Sequence, residues 1–171
     1  NVDRLEIISN MKRYARSFFV STLPRMCTFP ELFRDMYLFG DINTSVYINP
    51  IPESRSQNEL NRVINELETE RIVAADKGNI NRESNLSQKR LEAEQLRDEI
   101  AAGYNKLFEA SVVTTLFTYN LEDLEKQTKL LATEMSKSLV GIKSAWAIQE
   151  EAFKSNLPLM ENKIGKVHTF D

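Results

Sequence analysis

The residues able to do covalent or acid–base chemistry are few and scattered. The only histidine, His168, stands near the last residue, and the only cysteine, Cys27, has no basic neighbour closer in sequence than Arg25. A nucleophile needs a base within hydrogen-bond reach and a thiolate needs a nearby cation, so His168 reads as a surface residue and Cys27 as a small half-buried side chain. Glu150 and Glu151 are adjacent, and neighbours on a helix point in different directions, which suits solvation rather than a paired acid and base. None of the five glycines, Gly40, Gly78, Gly103, Gly141 and Gly165, belongs to a phosphate-cradling GxxxxGK[ST] or GxGxxG loop. No catalytic, cofactor-binding or metal-binding residue is assigned, and the chain by itself is expected not to bind ATP.

Binding chemistry is the remaining possibility. Lys12, Arg13 and Arg16 form a small basic cluster that could meet phosphate or an anionic lipid surface, but three cations along a strand read first as a solvated face. Phe18, Phe108 and Trp146 could stack on bases and read first as core. The run Lys106-Leu107-Phe108-Glu109-Ala110 lacks the Gly-aromatic core of an RNA-recognition strand and carries an acid, so no direct nucleic-acid contact is expected. With 22 Lys and Arg against 25 Asp and Glu in 171 residues, the chain is not a polybasic binder, and no apolar run reaches the roughly 20 residues that cross a bilayer. It begins at Asn1 without an initiator Met and is read as a piece of a longer protein.

The elements that must position these residues follow from periodicity. Residues 53–103 hold 8 basic and 11 acidic residues, and the rest of the chain holds 14 of each sign. The acidic stretch has no proline and a single internal Gly78, which predicts two helices packed as a hairpin over 54–103. Ser56 and Glu59 stand at capping-box spacing and mark the predicted start. Leu60, Val63, Ile64, Leu67 and Ala74 form one narrow apolar seam; Leu86, Ala93, Leu96 and Ile100 form the other. Strands are predicted over Tyr14–Thr22, over Thr44–Pro50 from strict alternation, over Leu107–Tyr119, which is apolar on both phases, and over Val140–Trp146. A helix is predicted from Phe29 to Leu38, with Thr28 and Glu31 at capping-box spacing, and another from Leu121 to Met135, with Asn120 as its cap.

This order predicts an α+β fold: a ferredoxin-like βαβ-βαβ antiparallel sheet with two helices on one face and a long inserted helical hairpin, the first and third strands being central. Residues 1–53 and 104–171 would form the body and 54–103 the insertion, in one domain. The edge over Val140–Trp146, with Val140, Ile142, Lys143 and Ser144, is expected to offer unpaired backbone to a partner or to a second copy. The second strand is blunted by Pro50 and Pro52. On the hairpin, Glu66, Glu70, Glu92, Glu94 and Glu99 are expected to be exposed, as a solvated surface or as contacts to a basic partner.

Several stretches, in order, resemble the N-terminal domain of the conjugative type IV secretion ATPases, the fourth VirB component and its Gram-positive TrsE and TraE relatives. Tyr14-Ala15-Arg16-Ser17-Phe18-Phe19-Val20 with Pro24-Arg25 is similar to the family's opening strand. Phe39-Gly40-Asp41-Ile42-Asn43-Thr44-Ser45-Val46 and Ile48-Asn49-Pro50-Ile51-Pro52 are similar to its second strand. Lys77-Gly78-Asn79-Ile80 falls at the hairpin turn, and Gln149-Glu150-Glu151-Ala152-Phe153-Lys154-Ser155-Asn156-Leu157-Pro158-Leu159 is similar to the block before the motor. Ser21-Thr22-Leu23 replaces the family's Gly before the Pro, and Met160 stands where Gly follows Leu159. The resemblance implies a RecA-like motor after Asp171 that carries ATP and Mg, with none bound by this segment. It also implies a docking and assembly role at the cytoplasmic face of the cell membrane, peripheral and without a transmembrane segment. The partners implied are inner-membrane and channel components of the secretion system, with self-association of the full-length protein. A stand-alone helical-hairpin scaffold and a single-stranded nucleic-acid-binding module are the alternatives from other classes.

Overall fold

The computed structural model describes residues 2–8, 11–24, 34, 36 and 39–164. Cys27, His168 and most of the helix expected over Phe29–Leu38, with its cap, lie outside the described residues. The chain is a mixed α+β structure with the described order β1 (Leu5–Ile8), β2 (Lys12–Thr22), β3 (Ile42–Pro50), α1 (Glu53–Asp76), α2 (Ile80–Ala101), β4 (Phe108–Thr118), α3 (Leu121–Lys137), β5 (Gly141–Ser144) and α4 (Gln149–Ser155). It divides into two compact units, one made of residues 1–47 and 110–171 and the other of residues 48–109.

In the first unit β2 and β4 pair antiparallel, with Ser17 opposite Thr115 and Phe19 opposite Val113. β3 lies on the outer side of β4, where Phe117 N donates to Asp41 O and the Thr44 and Thr114 hydroxyls meet at 3.1 Å. The other side of β2 is shared. β1 pairs with Lys12–Ala15 and β5 with Phe18–Thr22, with an irregularity between Val20 and Thr22. A Cβ on Gly141 would stand 3.1 Å from the Ser21 and Thr22 side chains, so glycine lets β5 approach there.

Both faces of the central pair, β2 and β4, are covered. Phe18, Val20, Val112 and Leu116 pack with Leu124, Leu131 and Met135 of α3, together with Met36, Phe39 and Val140. The opposite phase, Phe19 and Val113, packs with Ala145, Ala152 and Ile164, and Phe117 meets Phe153 of α4 edge to face at 6.2 Å. The two-phase apolar pattern of β4 has this double covering as its cause. α3 starts as its sequence dictates: the Asn120 side chain accepts from Asp123 N at 2.7 Å.

The second unit is built on α1 and α2, which run antiparallel and bury Leu60, Ile64, Ala74, Leu86 and Ile100. Val63, placed in that seam by spacing, is exposed instead. α1 does not begin with a Ser56–Glu59 capping box. It begins a turn earlier, because Pro52 at the N-cap already has φ −55° and Glu53 places an acid in the first turn. Ser56 lies inside the helix, buried, with Oγ donating to Pro52 O at 3.2 Å, while Glu59 pairs with Arg55.

Three helix ends use one device. After α1, Gly78 N donates to Ala75 O and Asn79 N to Ala74 O; after α2, Gly103 N donates to Ile100 O and Tyr104 N to Glu99 O. These are Schellman endings, which need a left-handed residue, and both glycines have positive φ. Asn79 turns the chain within three residues, since its side chain then accepts from Arg82 N to start α2. α3 ends with the same two bonds, from Leu139 N to Ser136 O and from Val140 N to Met135 O, but its left-handed residue is Leu139, φ 57°.

Candidate interaction surfaces

The predicted edge strand is shorter than its sequence pattern, four residues rather than seven, and Trp146 lies beyond its end. Val140 is buried in the core and its N–H is used on Met135 O, so neither its side chain nor its N–H is open to a partner. Ala145 N donates to Ser17 O at 2.9 Å, and in an antiparallel ladder the bonded residues alternate. Lys143 therefore turns its backbone groups to Phe19, and it is Ile142 and Ser144 whose groups point away from β2. The Ser144 carbonyl is taken by Trp146 N at 2.8 Å. Lys143 itself is exposed, and Ile142 rests on the core. The aromatics also divide differently from expectation. Phe18 is core, whereas Phe108 and Trp146 are 55% and 69% exposed, Phe108 because it begins β4 and Trp146 because β5 has already ended.

Between β1 and β5 the edge of β2 is closed by a side chain. The Gln149 carboxamide accepts from Ser17 N at 2.7 Å and donates to Ser17 O at 3.1 Å and Ser144 Oγ at 3.2 Å. Ser17 Oγ meets Thr115 Oγ1 at 2.8 Å, which also accepts from Asn156 Nδ2 at 2.7 Å. Ser17, Thr115, Gln149 and Asn156 are all buried, so the segment from Gln149 to Asn156 is bonded into the sheet through a polar network. Tyr47 extends the fastening, its hydroxyl facing Ser155 O and Glu161 O, and burial raises its pKa. Sequence spacing gave no signal for any of this. Only the composition of the Gln149–Leu159 block, polar residues among Ala152 and Phe153, hinted that it packs.

Met160, in the same run, has φ 55° and is almost fully exposed. A left-handed backbone costs a non-glycine residue about 1–2 kcal/mol, and the extra freedom of an unfolded glycine costs about 0.5–1. Met160→Gly is thus expected to stabilise the protein by about 0.5–1 kcal/mol in a urea titration.

Of the basic cluster only Lys12 is solvent-exposed, Arg13 being half-buried. Arg16 is buried, and its guanidinium donates to Asp3 O, Asp3 Oδ2, Glu125 Oε1 and Thr128 Oγ1 at 2.6–3.2 Å. Lys12 pairs with Glu6, and Arg13 pairs with Asp41 while lying over the Phe117 and Tyr119 rings. Each cation already has a carboxylate. The bond from Arg16 holds the Glu125 carboxyl below its ordinary value. A depressed carboxylate contributes stability above its unfolded pKa and loses it as pH falls through the folded one. Glu125→Gln should accordingly lower the melting temperature at pH 7, and the difference should shrink as pH falls through the lowered value of the Glu125 carboxyl.

On the helix pair the carboxylates are engaged with neighbours rather than presented as an acidic surface. Glu66 pairs with Arg62, Glu70 with Arg82, and Glu94 with Arg90; Glu92 accepts from Gln88, and Glu99 from Gln95 and Asn105. Glu66, Glu70 and Glu92 are exposed as expected, but Glu94 and Glu99 are half-buried. Glu68, not singled out by the sequence, sits between Arg71 and Arg90, and the Arg71 bond lowers its pKa.

At the base of this unit a cavity of about 370 Å³ is lined by Pro50, Pro52, Ser56, Ile100, Lys106 and Leu107 among others. Among the described residues no three His, Cys, Asp or Glu side chains are grouped to hold a metal ion, and no helix is long and apolar enough to cross a membrane. No protein-family model matches the chain, and no curated protein does.

Proposed function

We propose that this chain is a docking and assembly domain, itself non-catalytic, of a type IV secretion ATPase for conjugative DNA transfer. On this reading a RecA-like motor follows in the parent protein and binds ATP and Mg, and the domain works peripherally at the cytoplasmic face of the membrane. It would link the motor to inner-membrane and channel components and to other copies of itself. The observation that carries the reading is the collinearity of the family-like stretches with the elements. The opening motif lies on β2, Ile42–Val46 and Ile48–Pro50 on β3 leading into α1, Gly78 at the turn into α2, and Gln149–Ser155 on α4. The finer architecture belongs to the same proposal. The order β5-β2-β4-β3, with α1 and α2 between β3 and β4, supports a ferredoxin-like body with an inserted helical hairpin.

The test is made in the full-length ATPase, with residues 55–102 replaced by a short Gly-Ser linker. Transfer is expected to fall at least tenfold while ATP turnover by the motor persists. Undiminished transfer, or a parent reading frame without a Walker A segment, would remove the proposal.

A further inference from the structure

We propose that the outer edge of β5 receives, as an added strand, an extended segment of a partner protein that carries an acid opposite Lys143, seated on Leu139 and Trp146. The inference rests on the docking role above and names the chemistry of one of its contacts. The Ile142 N–H and C=O and the Ser144 N–H point away from β2, and among the described residues none of the three has a partner. That is the hydrogen-bonding pattern a short added strand requires.

Leu139 stands just before this edge. It takes the left-handed helix-ending position that Gly78 and Gly103 take elsewhere, where folding alone favours glycine, and its side chain is 73% exposed. Trp146, the only tryptophan, stands just after the edge with 69% of its surface exposed. Tryptophan in that setting is the residue type that dominates binding energy at interfaces. A large apolar group thus flanks each end of the strand.

Charge selects the occupant. Lys143 is the only charged side chain on β5, is exposed, and among the described residues has no ion-pair partner. An acid directly opposite it on an added strand would be favourable and a cation unfavourable. A second copy pairing through the same edge about a two-fold axis at Lys143 would set lysine against lysine, which argues for a heterologous segment. The edge of β3 is less suited, because Phe117 N bonds to Asp41 O and the alternation directs the missing N–H of Pro50 outward.

The probe is a fluorescein-labelled heptapeptide, Leu-Thr-Val-Glu-Val-Thr-Leu, with a Lys-centred counterpart, titrated into the 171-residue chain. Anisotropy gives affinity, and the fluorescence of the single tryptophan reports contact at the site. The Glu-centred peptide is expected to bind on the order of 10-fold tighter, and Lys143→Glu to invert the preference. Trp146→Ala and Leu139→Gly should each weaken binding about 5-fold. Leu139→Gly should melt no lower than the parent, which separates the anchor from the fold.

Equal affinity for the two peptides, or undiminished binding by both anchor variants, would overturn the site. So would a concentration-dependent dimer that Lys143→Glu alters, since a second copy would then hold the edge. If neither peptide binds, strand addition fails here, while the docking role is still judged by the transfer experiment.

Discussion

Replacing Gln149 by alanine is expected to destabilise the protein by about 2–3 kcal/mol, the loss of a buried donor's only acceptor together with the void left by the side chain. Ser17 N–H is fully buried and has the Gln149 oxygen as its partner, whereas Ser17 O keeps Ala145 N when the carboxamide is removed. For a domain of this length that corresponds to a fall in melting temperature of roughly 5–10 °C. Gln149→Glu distinguishes a specific bond from simple packing. As a carboxylate it can still accept from Ser17 N but cannot donate to Ser17 O, and burial raises its pKa. As a neutral acid it can do both. Its deficit relative to the parent should therefore be smallest below the ordinary glutamate value and grow as pH rises through the elevated folded one. A Gln149→Ala variant within 0.5 kcal/mol of the parent would show that the carboxamide is incidental to the closure of the sheet edge.

Deleting the helix pair is expected to leave a folded body. Both hydrophobic clusters that cover the sheet draw every member from residues 1–47 and 110–164, and the residues buried by α1 and α2 lie within 56–100. With residues 55–102 replaced by a short Gly-Ser linker, the Ile51 N to Leu107 O bond keeps a short loop closed, and closing such a loop costs little. The variant should melt cooperatively, within about 2 kcal/mol of the parent. Its helical circular dichroism should fall in proportion to the two helices removed. A non-cooperative transition would show that the sheet depends on the helix pair, and the transfer experiment would then report unfolding rather than loss of a contact.

Much of this architecture is legible from residue types. The alternation of Thr44, Val46 and Ile48 with Asn43, Ser45, Tyr47 and Asn49 marks the place of β3 but not its buried face, since Val46 and Ile48 are exposed while Ser45 and Tyr47 are half-buried. The double-phase run of β4 reflects burial on both faces. Asn120 announces α3, and Gly78 followed by Asn79 announces the turn between α1 and α2, since a left-handed residue and a side-chain cap are local requirements that composition exposes.

What escapes the sequence is non-local. β1 is four residues, too short for a periodic signal, and is recognisable only through its pairing with Lys12–Ala15. Ser56 and Glu59 have the right spacing for a cap, but Pro52 supplies a helical φ earlier and overrides it. Arg16 looks solvated in a basic cluster until Asp3 and Glu125 are brought to it across the fold. Gln149 carries no mark of its role, because a carboxamide that completes a strand edge is recognisable only once that edge exists.

The Gln149–Ser17 closure also bears on the order in which the chain can fold. The bonds within α1 and α2 join near neighbours, whereas β2 waits for Thr115, 98 residues away, and for Gln149, 132 residues away. Contacts of such separation form late. As the polypeptide leaves the ribosome the helix pair can assemble while β2 still awaits β4 and β5, and only when α4 emerges is the gap at Ser17 between β1 and β5 sealed. Chaperone capture of this domain in nascent chains should therefore persist until about the length that frees Gln149 and fall there, making the segment from Gln149 the closing step of the sheet.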